Sequence, residues 1–568
     1  METDRRSFLK ITGAAGAGLL AGNGASAETG DETPIDSPPA AFVTELFLDN
    51  EMLESTPGIS RRLRPPKKHL LNPVVRCERW CDGNILQPYT TMYDEDEKLF
   101  KMWARCGSDA NVGFIGGNAA FISYFTSKDG VNWERPDLGL FEVAGRRDHN
   151  IVFTSDLVPT SPTKHSYGPE HYVIPKTAMS PQGKKAFFWS VNRHPFPRDE
   201  SEKYVALAIV QDHRRGAHIV TSPDGIRWSC ATAPFWQTPH DVSGKGDDCL
   251  MHLTFDEAKR KWVIYRRIVP DFSEHLVATE EDTGHPGVDR YNRSYAYAES
   301  GDLKVWTNHQ HILAMDPDDP ADTELYQFAC HNAGPAYVGF MSVFYLRSPQ
   351  PVNVHLCTSR DGLRFTRVCR GEPFIRHGAE GYYDFMAMGC SQPKPVVVGD
   401  TVYYYYAALN FPHDAPIDAD PSTLVSGAAL ATFKRDRYVS LETSHLDNGP
   451  CRIVTKTFTV THPKLYINAA TWDQGSIRVE ALTREWQPIA GFTEAEARQV
   501  QGDALDHPVS WNAQADLGPL VGKEIRLKFY MTRARLHAMT MSKEDRPQGP
   551  VDSEFRYGER GDSAPKLT

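Results

Sequence analysis

The 568-residue sequence has no block of basic residues: 62 Lys and Arg face 73 Asp and Glu, which gives a net charge of −11. A nucleic-acid groove needs clustered Lys and Arg, so this acidic balance excludes nucleic acid as a partner. After the first residues, no apolar run is long enough to cross a membrane as a helix, so no integral membrane segment is expected in the mature protein. Sustained 3.6-residue periodicity is scarce as well, which argues against a helical fold.

Metal-binding patterns are also lacking. Cys77 and Cys81 have no second matching Cys pair, so a zinc site is not expected. The other cysteines are scattered through strand-like runs, which is typical of buried small hydrophobic residues. No dedicated calcium loop is present, although a structural calcium with oxygen ligands stays open. We predict no cofactor and no metal site.

The first 27 residues have the features of an export signal. Arg5 and Arg6 lie in a twin-arginine motif, a weakly apolar stretch covers 11–21, and Ala25-Ser26-Ala27 fits an A-x-A cleavage site. We therefore predict a twin-arginine signal peptide over 1–27, the twin-arginine export machinery as a partner, and a periplasmic or extracellular location. Because this pathway exports folded proteins, the fold is not expected to depend on disulfides.

The strongest internal signal is a repeated turn motif, S-x-D-G-x-x-W, known as the Asp box. It occurs at 127–133, 222–228 and, with Phe in the last position, at 359–365. A degenerate copy, without the Gly, lies at 300–306. In such a turn the Asp side chain caps backbone N–H groups, and Gly takes a positive φ. The spacing of the copies suits repeated blades of four strands. The Asp-box aspartates are therefore predicted to be structural rather than catalytic.

Strand-like runs around these turns predict five four-stranded blades. Aromatic stretches such as Tyr403-Tyr404-Tyr405-Tyr406 favour strands. We expect the runs of blade two at 171–178, 186–191, 218–221 and 227–230, and those of blade five at 384–398, 401–408, 427–433 and 438–442. The predicted fold is all-β, with a five-bladed β-propeller over 28–450, a small β-sandwich over 455–542 and a disordered tail over 543–568.

Propeller topology predicts which residues can form a site. If each inner strand starts on the upper face, the Asp-box turns lie on the lower face. The long insertions at 192–217, 267–293 and 409–426 then lie above. Acidic residues at the starts of inner strands converge there, and glycoside hydrolysis needs two facing carboxyl groups. Glu324 is predicted as the general acid, with Asp82 or Asp248 as its partner and Asp384 as a third carboxylate.

Cationic and aromatic residues near the same face are predicted to bind substrate. The cations could bind a carboxylate or sulfate on a sugar, or they could pair with the acidic ring, and both roles stay open. The predicted substrate-binding residues are Tyr326, Arg267, Arg105, Arg193, His331 and His413.

Several segments carry a resemblance to a known group. The run TSKDGVNWERPDLGL at 126–140, with TELY at 323–326 and GSIRVE at 475–480, resembles exported bacterial proteins related to family 32 and family 43 glycoside hydrolases. The resemblance covers most of the chain and implies a five-bladed propeller with a central carboxylate cluster. The invertase-type motif W-M-N-D-P-N-G is absent, and Asp82 in Trp80-Cys81-Asp82-Gly83 is its approximate positional counterpart.

The leading prediction is a glycoside hydrolase that acts on an oligo- or polysaccharide by carboxylate acid/base chemistry at the propeller axis. One alternative is a non-catalytic carbohydrate-binding protein, which would lack paired carboxylates about 5–10 Å apart. Another is a polysaccharide lyase, in which Tyr326, His331 and Arg267 would supply a base and positive charge. The sequence does not specify the sugar, the linkage or the stereochemical outcome.

Overall fold

The computed structural model describes residues 41–83, 85–107, 120–143, 145–153, 185–211, 215–230, 236–237, 246–269, 293–320, 322–346, 350–388, 394–411, 423, 426–444 and 451–546. The predicted signal peptide, His413 and the chain after 546 lie outside these residues. The described chain is all-β, apart from short 3₁₀ turns at Glu200–Glu202 and Gly518–Leu520. No helix in this part of the chain is long and apolar enough to span a membrane.

Five short strands precede the first complete blade. They are β1 (Phe42–Glu45), β2 (Leu53–Ser55), β3 (Ile59–Leu63), β4 (Lys67–Lys68) and β5 (Val75–Arg76). The first four blades then follow one another along the chain, each as a four-stranded antiparallel sheet. Their inner strands are β6, β10, β14 and β18, and their outer strands are β9, β13, β17 and β21.

The bounds of these strands follow the chain order. Blade one contains β6 (Ile85–Asp94), β7 (Leu99–Gly107), β8 (Ala120–Ser127) and β9 (Ile151–Phe153). Blade two contains β10 (Lys185–Arg193), β11 (Tyr204–Gln211), β12 (Arg215–Ser222) and β13 (Trp236–Gln237). Blade three contains β14 (Gly246–Asp256), β15 (Lys261–Val269), β16 (Ser294–Ser300) and β17 (Thr307–Leu313). Blade four contains β18 (Thr323–Asn332), β19 (Tyr337–Tyr345), β20 (Val352–Ser359) and β21 (Thr366–Arg367).

Blade five closes the ring with strands from both ends of the propeller. Its inner edge is β22 (Met386–Met388) and β23 (Val396–Val398), followed by β24 (Thr401–Leu409) and β25 (Ser426–Lys434). The outer edge comes from the N-terminal side, because Lys68 pairs with Ala431 and Arg76 pairs with Gly427. The five-bladed propeller predicted from the sequence is therefore confirmed, and its last sheet is completed by residues far away in the chain.

Three blade assignments made from the sequence are wrong, and the expected first run of blade two, 171–178, lies outside the described residues. The run at 227–230, expected as the outer strand of blade two, makes only an isolated bridge to β12, and β13 is the outer strand instead. The run at 186–191, expected as the second strand of blade two, lies in its inner strand β10, and β11 occupies part of the expected insertion at 192–217. The run at 438–442, expected as the outer strand of blade five, belongs to β26 (Val439–Thr443), which pairs with β3 and β31 instead. These errors arise because periodicity can identify a strand but not its neighbour in the sheet.

The remaining strands form one nine-stranded antiparallel sheet. Its C-terminal members are β27 (Cys451–Thr455), β28 (Phe458–Thr459), β29 (Lys464–Thr483), β30 (Asp503–Pro508) and β31 (Glu524–Ser542), and β1, β2, β3 and β26 join them. The long strands β29 and β31 pair along their whole length, with register shifts in β29. Side chains from the first and the second half of β29, such as Ile467 and Val479, belong to a single hydrophobic core. This sheet therefore takes strands from residues outside the 455–542 range expected for the sandwich.

The Asp boxes join neighbouring blades. The Trp103 indole N–H donates to Gly225 O at 2.7 Å, and the Tyr405 hydroxyl donates to Gly130 O at 2.6 Å. Gly225 has φ of +77°, and a Cβ there would lie 2.6 Å from the Trp103 ring. Only glycine therefore combines the turn conformation with the close approach of the neighbouring blade.

The Asp129 carboxylate caps the Asp-box turn of blade one. Its Oδ1 accepts from Val131 N at 2.8 Å and from Asn132 N at 2.7 Å. Burial raises the pKa of Asp129, but the hydrogen bonds from Asn132, Val131 and Ser127 together outweigh it and lower the pKa to about 2. Because this pKa is depressed in the folded state, the carboxylate stabilises the fold above pH ~4, the unfolded value, and the contribution is lost as the pH falls towards 2.

Asp129→Ala is expected to lower the free energy of unfolding at neutral pH by roughly 0.5–2 kcal/mol, by analogy with helix caps. Urea unfolding of the protein at pH 7 and pH 3 measures this, and the difference from wild type should shrink at pH 3. Asp137→Ala, which removes an exposed ion pair with Arg79, is the control and should change stability by less than about 1 kcal/mol. A large fall in turnover at unchanged stability would contradict the structural role.

Candidate active site

The inner strands all start at one end of the propeller axis, here named the upper mouth, and finish at the other, the lower mouth. Four of them contain a register shift: between Pro88 and Thr90, Trp189 and Asn192, Asp247 and Met251, and Leu325 and Gln327. Such β-bulges re-aim side chains and are common beside active sites. In blade four the bulged residue is Tyr326, which keeps part of its surface exposed.

Glu324 is the centre of a charged cluster at the upper mouth. Its carboxylate is fully buried and forms an ion pair with the guanidinium of Arg293, the residue just before β16 of the neighbouring blade. Arg267, near the end of β15, donates from Nη1 to Tyr326 O at 2.9 Å. Glu324, Arg293 and Arg267 are therefore brought together from two blades.

Tyr326 lies against both guanidinium groups. The Arg267 guanidinium carbon is 5.0 Å from the centre of the Tyr326 ring, and that of Arg293 is 5.8 Å from it. The ring also packs on Phe344, with 5.7 Å between ring centres. A guanidinium near an aromatic face is a cation–π contact, which holds ring and cations in a fixed relation. The cluster thus offers an aromatic ring, two cations and a carboxylate within a small volume.

Arg293 was not among the site residues predicted from the sequence. It lies at the end of a long insertion, where no periodic pattern marks it. Its position directly before the third strand of blade three could have identified it, because that strand starts at the upper mouth beside Glu324.

The contacts of Asp82 indicate a structural role. Its Oδ2 accepts from Glu78 N and Arg79 N, both at 2.9 Å, and lies 3.5 Å from the Arg135 guanidinium. The residue is fully buried, and its own carbonyl accepts from Gly107 N. Through Oδ2 this carboxylate caps a turn and fixes the path of the chain into β6, whereas its Oδ1 is buried without a partner among the described residues.

Asp384 is likewise tied to the scaffold. It forms an ion pair with Lys68 of β4 and accepts from the Tyr406 hydroxyl at 3.1 Å. Lys68 also donates to Arg376 O at 2.7 Å. Asp384 therefore fastens the N-terminal closing strand to the loop that enters blade five.

Two residues that were predicted to lie at the upper mouth lie at the lower mouth instead. Arg193 is the last residue of β10, because that strand is the inner strand of its blade, and it contacts Asp96 at 2.8 Å. His331 is seven residues after Glu324 on β18, which places it about 23 Å further along the strand. Its ring stacks on Phe340. The prediction that Arg193 and His331 join the upper site is wrong.

The remaining predicted residues are only partly described. Arg105, near the upper end of β7, donates to Gln87 Oε1 at 3.4 Å. The backbone of Asp248 lies in β14, between the pairs Asp247–Ile268 and Met251–Arg266, and its side chain is outside the described part. His413 is also outside it. Across the described residues, no group of three or more His, Cys, Asp or Glu could hold a metal ion.

Comparison with known proteins gives a likeness of fold only. No protein-family model and no curated protein matches the chain. A solved structure described as a glycoside hydrolase is 13% identical, with 65% of this chain and 92% of that chain covered and a TM-score of 0.40. An N-acetylgalactosamine deacetylase from F. plautii is 14% identical, covering 66% and 96% at a TM-score of 0.38.

A β-fructofuranosidase from Schwanniomyces occidentalis is 11% identical, with 87% of this chain and 98% of that chain covered at a TM-score of 0.36. Likeness at this level assigns no activity to this chain, because one fold carries many activities.

Proposed function

We propose that the protein is a carbohydrate-active enzyme that cleaves a glycosidic bond at the upper mouth, with Glu324 as a catalytic carboxylate. The observation that carries this proposal is the buried Glu324–Arg293 pair beside Tyr326 and Arg267. An aromatic ring can cover the apolar face of a sugar, and planar charged groups can bind its hydroxyls in pairs. The resemblance of segments 126–140 and 323–326 to glycoside hydrolases supports the same substrate class.

In the proposed mechanism Glu324 donates a proton to the glycosidic oxygen. The guanidinium of Arg293 holds this group as a carboxylate in the free protein. Glu324 must therefore take up a proton from solvent, as the bound substrate replaces part of the Arg293 contact, before it can act as an acid. Asp248 is the proposed partner, because its backbone lies near the start of β14, the inner strand of the adjacent blade, at the same mouth. The partner attacks the sugar carbon directly or activates a water, and the separation of the two carboxyl groups sets which of these occurs.

A polysaccharide lyase is the second candidate, and one observation favours it. Tyr326 lies within 6 Å of both Arg267 and Arg293. A lyase needs a base such as Tyr together with positive charge that neutralises a uronate. His331, which the sequence predicts for this role, lies at the lower mouth and takes no part in the proposed lyase site.

Incubation of the mature protein with a panel of neutral, uronic and sulfated glycans tests the proposal. We expect release of reducing ends without an unsaturated product. An unsaturated, ultraviolet-absorbing product on the uronic glycans would identify a lyase. Binding without release from any member of the panel would identify a non-catalytic carbohydrate-binding protein.

A further inference from the structure

A cavity of about 360 Å³ lies at the lower mouth, at the opposite end of the axis from Glu324. The last residues of β6, β10, β14 and β18 line it, and Lys394 to Val397 of blade five complete it. All five blades therefore contribute to one enclosure. Its volume lies in the range of small-molecule sites, about 300–1,000 Å³.

One hydroxyl in the wall of this lower cavity has no partner among the residues that the structure describes. Thr91 is 3% exposed, and its Oγ1 is buried without a hydrogen bond to the described residues. Buried polar groups in native proteins are almost always paired, with protein, water or a ligand. Nearby, the Asn192 amide Nδ2 donates to Ser190 O and Leu253 O, which leaves Oδ1 as the acceptor available at the cavity wall.

The charges around the lower cavity nearly balance. Its wall contains three carboxylates and two cations: Asp94, Glu95, Glu257, Arg193 and Lys394. Burial would raise the pKa of Asp94, but the Lys101 ammonium and the Glu97 N–H outweigh it, so the pKa lies well below its usual range. Arg193 contacts Asp94 at 3.7 Å and Asp96 at 2.8 Å. A balanced wall of this kind favours a neutral ligand over a phosphate, a sulfated sugar or a cation.

Part of the wall is apolar. Val191, Pro395, Val396 and Val397 line it, and Val397 is 44% exposed although it is a large hydrophobic residue. Apolar side chains beside hydrogen-bonding groups match the surface of a sugar ring, which has C–H faces and a rim of hydroxyls.

We propose that the lower cavity binds a neutral saccharide end, as a site separate from the Glu324 cluster. The site would anchor carbohydrate on the Asp-box side of the propeller without taking part in cleavage. The proposal does not depend on the activity proposed for the upper mouth, because binding can be measured in a protein that cleaves nothing.

The test is calorimetric titration of the mature protein with glucose, galactose, mannose, fructose and xylose. Val397→Trp fills the mouth of the lower cavity and should weaken binding of the best sugar by about tenfold or more. Val305→Trp is the matched control, because Val305 is 65% exposed and does not line the cavity. Affinity should be unchanged in the control.

Thr91→Val separates a binding role from a packing role. It replaces a hydroxyl without a partner by a methyl of the same size, so the melting temperature of the sugar-free protein should stay the same or rise. Sugar affinity should fall about fivefold, the loss of one neutral hydrogen bond. Unchanged affinity in both Thr91→Val and Val397→Trp, or no binding of any of the five sugars, would overturn the proposal.

Discussion

Glu324→Gln is expected to lower turnover on glycosides with poor leaving groups by about 10²–10⁴-fold, the usual contribution of a general acid. Glutamine keeps the size of the side chain but cannot deliver a proton, and substrate binding should persist. Activated aryl glycosides need little protonation, so their turnover should fall much less. Steady-state rates on a matched pair of substrates, one natural and one aryl, measure the difference.

Asp82→Asn is the control for this experiment. The amide oxygen can still accept from the N–H groups of Glu78 and Arg79, so the fold should persist. Turnover of the folded protein should remain close to wild type on both substrates. Equal losses on both substrates in Glu324→Gln would assign Glu324 to a base or nucleophile role, and full activity would remove it from the site. If Asp82→Asn lost as much turnover as Glu324→Gln, Asp82 would have a catalytic role after all.

Lys68→Met is expected to destabilise the protein by about 2–4 kcal/mol, because it leaves the buried Asp384 carboxylate without its ion-pair partner. Lys68 is 32% exposed, so solvent screening keeps the value at the lower part of the range for a fully buried pair. The effect should be global, since β4 closes the ring through its pairing with β25. Urea unfolding followed by fluorescence measures it.

A double-mutant cycle isolates this pair. Lys68→Met with Asp384→Asn removes both charges, and its stability should lie closer to wild type than that of Lys68→Met alone. Lys98→Met, which breaks an exposed pair with Glu95, is the matched control and should cost less than about 1 kcal/mol. If Lys68→Met behaved like Lys98→Met, the Lys68–Asp384 contact would not hold the ring closed.

The blade count could be predicted from the sequence because it depends on local chemistry. The seven residues of each Asp box are enough to predict its turn, and the aromatic strands around it are long enough to be predicted from their residue pattern. Ring closure could not be predicted in the same way. The closing strands β4 and β5 are two residues each, too short for any periodic signal, and their partner β25 is more than 340 residues away in the chain.

Part of the site followed from topology alone. Glu324, Tyr326 and Arg267 lie together because inner-strand starts and second-strand ends meet at the upper mouth. Asp82 and Asp384 start inner strands too, yet their carboxylates are bound by a turn and by Lys68. Glu324 is buried and ion-paired as well, but its partner Arg293 lies against Tyr326, whereas Asp82 and Asp384 hold a turn and a closing strand. Strand position tells where each carboxylate lies, whereas its role depends on partners that are distant in the chain.

The central claim is that chemistry takes place at the upper mouth, around Glu324. A crystal structure of Glu324→Gln with the best substrate from the glycan panel tests this most directly. We predict a sugar ring against Tyr326, with its glycosidic oxygen within hydrogen-bond reach of residue 324 and a hydroxyl or charged group on Arg267. A substrate bound only elsewhere, with no sugar in contact with Tyr326, Arg267 or residue 324, would contradict it.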